Sequence, residues 1–447
     1  MDRINQWIDA HSGELVEAAA RLVRINSVGT APTPGRPFGD GVAAAMAEAV
    51  AIAREWGLAT RNHENYAVTA QLGEGEPRLG VLCHLDTVPI GEGWTLPPLG
   101  ATVKDGKLFG RGAIDDKGPA AASLFALRAL KECDVPLSAP CRMVLGGDEE
   151  TGSSDMRYYQ TKEAFPPYLF SPDGDYPVIN TEKGRIQLKT SAPVTDPRLA
   201  DLRGGVAANA VPTEAVALLK GVGPEEIRTG GYSVDLEEGA EGLRVIARGV
   251  AAHGSTPHKG INAVTMLLRV LANSGIGGEG IAAAARCFPQ GEFDGAHAGA
   301  ACSDAQSGPL TLSPDLLSME EGTFSLISDV RFPVSFEGAE ICRRLTDALS
   351  PALTVSFLSC VEGHHVPEDS PFVQTLLKVY ERETGQPGYG VAIGGGTYVH
   401  GIPNGVAFGA EFPGTDHRMH GADEFIGIDE LILNAKLIAH AIAEVCK

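Results

Sequence analysis

Five short stretches of the chain set histidines and carboxylates beside glycines or at the ends of apolar runs, a pattern suited to holding metal cations. In LCHLDTVP (82–89), His84 and Asp86 stand two residues apart at the end of an apolar strand, so both face the same side. An imidazole there can bind a metal while the carboxylate orients its ring. By itself the spacing equally fits a hydrogen-bonded histidine at a sheet edge. GRGAIDDKGP (110–119) sets Asp115 and Asp116 before a run of small apolar residues. One of them could cap a helix, but capping does not account for two adjacent carboxylates flanked by Arg111 and Lys117. In GGDEETGSSDM (146–156), Asp148, Glu149 and Glu150 repel one another unless a cation sits among them or the triplet is a solvated turn. SPDGDYP (171–177) and GTDHRMHGADE (414–424) add Asp173, His417 and His420. An oxygen-rich shell with one histidine per ion suits a pair of Zn2+ or Mn2+ ions bridged by a carboxylate.

Such stretches need strands that end and helices that begin at them. Apolar spacing predicts helices over 3–25, 39–56 (closed by Gly57), 116–133 and 153–162, and strands over 66–72, 79–85, 141–147 and 168–171. Asp105-Gly106 suits the turn of a hairpin over 102–110. Strands alternating with helices imply an α/β fold with a mainly parallel mixed sheet and flanking helices, where ligands bind at the carboxyl ends of strands. Near residues 178–184 the character changes. From there to about 360 the segments are shorter and turn-rich around one long helix, INAVTMLLRVLANSG, which reads as an inserted α+β domain. The helix PFVQTLLKVYERETG, the strand-like VAFGAEF and the last helix, IDELILNAKLIAHAIAEV, restore the first pattern. The expected layout is a catalytic domain in two parts, 1–179 and 367–447, around an insert at 180–366.

The 447 residues exceed what one hydrophobic core serves, which also argues for two domains. The balance of 43% hydrophobic and 21% charged residues excludes a disordered or fibrous chain. A formal net charge of -21 repels phosphate backbones and anionic lipid, so neither nucleic acid nor a membrane surface is an expected partner. There is no apolar run of about 18 residues. The first segment is acidic and amphipathic and reads as a helix of the fold, not a signal peptide. The eight cysteines form no CxxC and read as small buried apolar residues in a reducing, cytoplasmic setting.

The strings HLDTVP, GRGAIDDKGP, DEETGS, SPDGDYPV, AHGSTPHKGINA and GGGTY resemble the dinuclear-metal peptidases that include carboxypeptidase G, acetylornithine deacetylase and carnosinase. Within them the chain is most similar to the PepV-type (Xaa-His) bacterial dipeptidases, over essentially its whole length. The resemblance implies a metal-dependent dipeptidase acting on short unblocked peptides with two divalent cations, Zn2+ first, with Mn2+ and Co2+ also fitting. It makes His84 and Asp173 ligands of one metal, Glu150 and His420 ligands of the other, and Asp115 the bridge, followed by a cis peptide in this family. His417 competes with His420, but HGADE after His420 matches the family pattern better. Asp86 becomes the partner behind His84, and Glu149 the general base that takes a proton from a water activated by two metals and returns it to the leaving amine.

In the insert, the same resemblance makes His253 of GVAAHGSTPHKG a catalytic donor to the oxyanion. It assigns Asn209 of AANAVPTEA and Arg331 of DVRFP to the substrate's terminal carboxylate, which an arginine fork matches well. Without the resemblance Arg331 reads as an exposed strand residue. Gly395, Gly396 and Thr397 of GGGTY become substrate contacts, although Val399-His400 departs from the Ala-Arg that often follows in the family. Lys183 and Gly184 mark the domain junction and read as hinge or structural residues, the insert reads as a lid, and its resemblance to the enlarged PepV-type insert implies a monomer. Two alternatives stay open: an amidohydrolase removing acyl groups from amino acids on the same fold, and a catalytically silent binding protein.

Overall fold

The N-terminal apolar periodicity breaks once. In the computed structural model, which describes residues 2–447, helices Asp2–Ala10 and Ser12–Val23 replace the single helix expected over 3–25. His11 leaves helical geometry; its ring stacks on Trp7 at 4.2 Å, and Ser12 Oγ donates to the Asp9 carbonyl, which offers the backbone an alternative to the helical ladder.

The chain folds into two compact units. The first holds the residues up to Asn180 together with Val366–Val391 and Gly396–Lys447. Its sheet runs in the order Ala59–His63, Ala67–Leu72, Cys141–Gly146, Leu79–His84, Tyr168–Ser171, Gly405–Ala407, then the strand beginning at Val178. The four middle strands from Cys141–Gly146 to Gly405–Ala407 are parallel, and antiparallel pairs flank them. The parallel character is therefore confined to the centre. Leu79–His84 is buried along its whole length, as a strand covered on both faces must be. Helix Lys117–Glu132 is nearly all buried: Ala120, Ala121 and Ala122 are small enough for close packing, and Phe125 meets Trp7 and Trp56. The expected strand VAFGAEF shortens to Gly405–Ala407. Beyond it Gly409 turns with φ 88°, where a Cβ would meet the Tyr176 ring at 2.4 Å. The hairpin forms as expected, with Asp105 and Gly106 both at positive φ.

The second unit holds Thr181–His365 and Ala392–Gly395. Its sheet, in the order Val234–Gly239, Gly242–Arg248, Glu214–Leu219, Leu199–Gly204, Thr311–Glu320, Thr323–Phe332, Gly184–Pro193, Thr354–Val361, pairs antiparallel throughout. In Gly184–Pro193 each second residue is buried, the period of a sheet covered on one face. Helices Ala263–Asn273, Gly278–Cys287 and Gly338–Leu349 supply the apolar cover. The last two escape the sequence reading because each starts on a glycine, whereas burial of Ile281, Ala284, Ile341 and Leu345 stabilises them. Gly184 is a packing position, since a Cβ there would fall 2.1 Å from the Phe332 ring, and Lys183 Nζ donates to the Pro309 carbonyl.

All eight cysteines are free. Cys83, Cys133, Cys141 and Cys446 are buried as expected, Cys287, Cys302 and Cys342 are half-buried, and Cys360 is exposed. Among the described residues, no helix is long and apolar enough to cross a membrane.

Candidate metal centre

Strand Leu79–His84 delivers His84 to its carboxyl end, fully buried. Its Nε2 lies 2.8 Å from Asp115 Oδ1 and 3.6 Å from Asp173 Oδ2. The other oxygen of Asp115, Oδ2, is 2.7 Å from His420 Nε2, which is in turn 3.6 Å from Glu150 Oε1. One carboxylate thus stands between two imidazoles, each with a second carboxylate beside it. The structure brings together all five residues to which the sequence reading gave metal-ligand roles. The Asp115–Asp116 peptide is cis.

The donor set fits divalent ions. His84 Nε2 and Glu150 Oε1 are buried without a hydrogen-bond partner, and they share a space less than 4.8 Å across with Asp115. Buried polar atoms rarely stay unpaired, and here the unpaired ones are ligating types aimed at one place.

Charge crowding is severe. Burial first, then the charges of Asp173, Glu150 and Asp115, pushes the Glu149 carboxyl well above the ordinary range, with His84 working the other way. Burial likewise raises Glu150 and Asp173, against their imidazole neighbours. Burial also works against ionised Asp115, yet His420 and His84 hold it below its usual value. The imidazoles respond in kind. His84 is raised by its carboxylates despite burial, and Asp115, then Glu150, push His420 up to about 10.

Neighbouring acids shape the loops. Asp86 lies behind His84: its carbonyl is 3.1 Å and its carboxylate 3.4 Å from His84 Nδ1. That carboxylate also accepts the backbone N–H groups of Glu149 and Glu150 at 3.3 and 3.1 Å. Asp116 does not cap the following helix; it accepts the His84 backbone N–H at 3.0 Å. Asp148, first of the acidic triplet, turns away and accepts from Ser154 N and Oγ at 2.9 and 2.5 Å. Two residues that sequence reasoning missed complete the support. Tyr398 donates to Asp155, whose Oδ2 accepts from Gly147 and Asp148 N–H at 2.6 and 2.9 Å, so the acidic loop is held from beneath. GGGTY pointed at its glycines, while the side chain with the structural work is its tyrosine.

His417, the competitor of His420, lies elsewhere. Its ring is buried between Glu411 (3.2 Å to Nδ1) and Glu430 (2.9 Å to Nε2), with Asp175 nearby. Burial disfavours its charged form, but the two glutamates outweigh it and push its pKa up to about 9 from 6.5. A raised folded-state pKa stabilises the fold fully below pH 6.5 and loses that stabilisation as pH rises through 9. His417→Gln should therefore cost on the order of 2 kcal/mol at pH 6, with the gap from wild type closing by about pH 9. Urea unfolding across that range measures it, and a pH-independent gap would refute the assignment.

Within the second unit, Asn209, His253 and Arg331 also come together. Ala210 bridges His253, Gly254 N–H donates to the Asn209 carbonyl at 2.7 Å, and a Cβ on Gly254 would meet Asp329 Oδ2 at 2.7 Å. His253 Nδ1 accepts the Ser255 N–H at 3.2 Å, and partial burial, then Arg331, lowers its pKa. The Ser255 hydroxyl also lies 2.7 Å from His253 Nδ1. Arg331 is not the exposed strand residue that its sequence context alone suggests: it is 3% exposed. Its Nε and Nη2 bind Asp329 at 2.7 and 2.8 Å, and Nη1 binds the Gly394 carbonyl at 2.5 Å. One fork is thus taken by Asp329, and two N–H bonds remain for a ligand. Of the glycine loop, Gly395 falls in the second unit, Gly396 and Thr397 in the first.

Comparison with known proteins identifies the family. Residues 80–444 match Peptidase family M20/M25/M40. YtjP of Bacillus subtilis (strain 168) is 36% identical over 460 residues, covering 97% of each chain. The Beta-Ala-Xaa dipeptidase of Lactobacillus delbrueckii subsp. lactis is 35% identical, covering 92% of this chain and 91% of that protein. The crystal structure of human carnosine dipeptidase 1 shares the fold, with a TM-score of 0.63 at 17% identity over 100% of this chain and 98% of the other. The chain belongs to peptidase family M20/M25/M40 and is a metallopeptidase, a hydrolase of peptide bonds.

Proposed function

We propose that this chain is a dipeptidase that hydrolyses the peptide bond of short unblocked peptides with two divalent ions, one held by His84, Asp115 and Asp173, the other by His420, Asp115 and Glu150. The observation that carries the proposal is Asp115, with one oxygen 2.8 Å from His84 Nε2 and the other 2.7 Å from His420 Nε2. Bound there, the ions supply a Lewis acid for the scissile carbonyl and a water acidified towards a pKa of about 7. Zn2+ is the leading candidate, and Mn2+ or Co2+ suits the same donors.

The chain's own groups do the rest. Glu149, fixed through its backbone N–H by Asp86, takes the proton of the attacking water and hands it to the leaving amine. His253 offers its Nε2–H to the developing oxyanion. Asn209 and the two free N–H bonds of Arg331 bind the substrate's terminal carboxylate, and Gly395, Gly396 and Thr397 offer backbone contacts. The insert at 180–366 acts as the substrate-binding lid of a cytoplasmic monomer. The dipeptide class is supported by the name of the Lactobacillus relative, which points to β-alanyl peptides among the substrates.

A panel of alanyl dipeptides, β-alanyl dipeptides and N-acetyl amino acids, assayed with Zn2+, Mn2+ and Co2+, tests the reading. Free dipeptides should turn over at least tenfold faster in kcat/KM than acylated amino acids, a difference of about 1.4 kcal/mol in transition-state binding. Preference for the acylated substrates would overturn it.

A further inference from the structure

Arg111 and Glu424 lie 313 residues apart in sequence, and both are essentially buried, at 2% and 0% exposure. Arg111 Nη1 donates to Glu424 Oε2 at 2.5 Å. Arg111 Nη2 donates to the carbonyls of Ile90 and His420, both at 3.1 Å. The remaining Glu424 oxygen, Oε1, accepts the backbone N–H of Ile114 at 3.1 Å and of Asp115 at 3.4 Å. One ion pair therefore grips the main chain of Asp115 and His420 themselves, whose side chains meet at 2.7 Å. It also grips Ile90, in the segment that follows Asp86. His420 sits at φ 60°, a left-handed conformation that a residue other than glycine keeps only where its surroundings hold it.

We propose that the Arg111–Glu424 pair is a positioning device: it fixes the distance between Asp115 and His420, and so sets the affinity of the cation they share. The proposal rests on the metal assignment made above. The geometry favours this role over a general stabilising one, because the pair bonds the main chain of both Asp115 and His420, with Ile114 and Ile90 close by in the same loops, and none of these bonds goes to a helix. Arginine is required since a single group must reach Glu424 and two carbonyls at once, which a lysine ammonium cannot do in the same plane. Neither residue touches the reacting atoms, so the effect belongs to binding of the ion and to kcat through it, not to substrate selection.

The test is Zn2+ affinity, read by competition with a chromophoric chelator on the full-length protein, for wild type, Arg111→Lys, Glu424→Gln and the pair Arg111→Met with Glu424→Gln. Melting of the metal-free proteins is followed alongside. The weaker of two Zn2+ sites should lose about 10-fold or more in affinity in Glu424→Gln, the range typical of groups that orient ligands. Arg111→Lys, which keeps the charge and the fold, should lose severalfold. The double substitution should cost no more than the worse single one, because both break one unit. Zn2+ affinity within twofold of wild type in Arg111→Lys, or losses that simply multiply in the double variant, would overturn the proposal. Failure of the underlying metal assignment looks different: wild type would take up no Zn2+, or His84→Ala would keep the full complement.

Discussion

Glu149→Gln protein should fold, hold its metals and hydrolyse almost nothing. The substitution keeps shape and size while removing the carboxylate that takes a proton. Loss of a general base costs about 10²- to 10⁴-fold in rate, so kcat should fall into that range with KM little changed. The loop that carries Glu149 is held by backbone bonds to Asp86 and by the Asp155 carboxylate under Gly147 and Asp148, none of which uses the Glu149 side chain. Metal content measured on the purified variant should therefore equal that of wild type. Turnover within tenfold of wild type would remove Glu149 from the role of base, and metal loss would reassign it as a ligand.

The second large effect separates the bridge from the flanking ligands. Asp115 contacts both histidines, at 2.8 and 2.7 Å, whereas Asp173 lies 3.6 Å from His84 and Glu150 lies 3.6 Å from His420. Asp115→Ala should abolish tight binding of both ions and with it all measurable hydrolysis, a fall of more than about 10³-fold given what a metal supplies to this chemistry. Asp173→Asn and Glu150→Gln should each lower the stoichiometry from two to one under a chelator concentration that wild type withstands. Removing the ions from wild type should likewise silence it, with activity returning on addition of Zn2+, Mn2+ or Co2+. Metal analysis with the same peptide assay reads all of these. An Asp115→Ala protein that kept one tightly bound ion would show that the two sites do not share this carboxylate.

Much of the centre was legible in the sequence, and the reason is local. A strand that ends in His84, an acid pair that opens a helix and an acidic loop after an apolar strand are signatures of a few consecutive residues, and the resemblance of HLDTVP and HGADE to a known family ranked them. What escaped were residues whose meaning lies in a distant partner. Tyr398 matters because Asp155 waits 243 positions away, and Glu424 because Arg111 does. Nothing within ten residues of either announces the pairing. Arg331 shows the converse: its strand context predicts exposure, and only the fold buries it against Asp329.

Alternation of apolar strands and amphipathic helices determined an α/β core with an inserted α+β segment, because burial of apolar surface depends on periodicities written within each element. Tertiary structure decided which of two nearby histidines meets Asp115. His417 and His420 are three residues apart, yet the first is seized by Glu411 and Glu430 while the second, turned by a left-handed backbone, reaches Asp115. Side chains separated by hundreds of positions interact through space, at energies set by distance and burial, and those quantities exist only once the chain has folded.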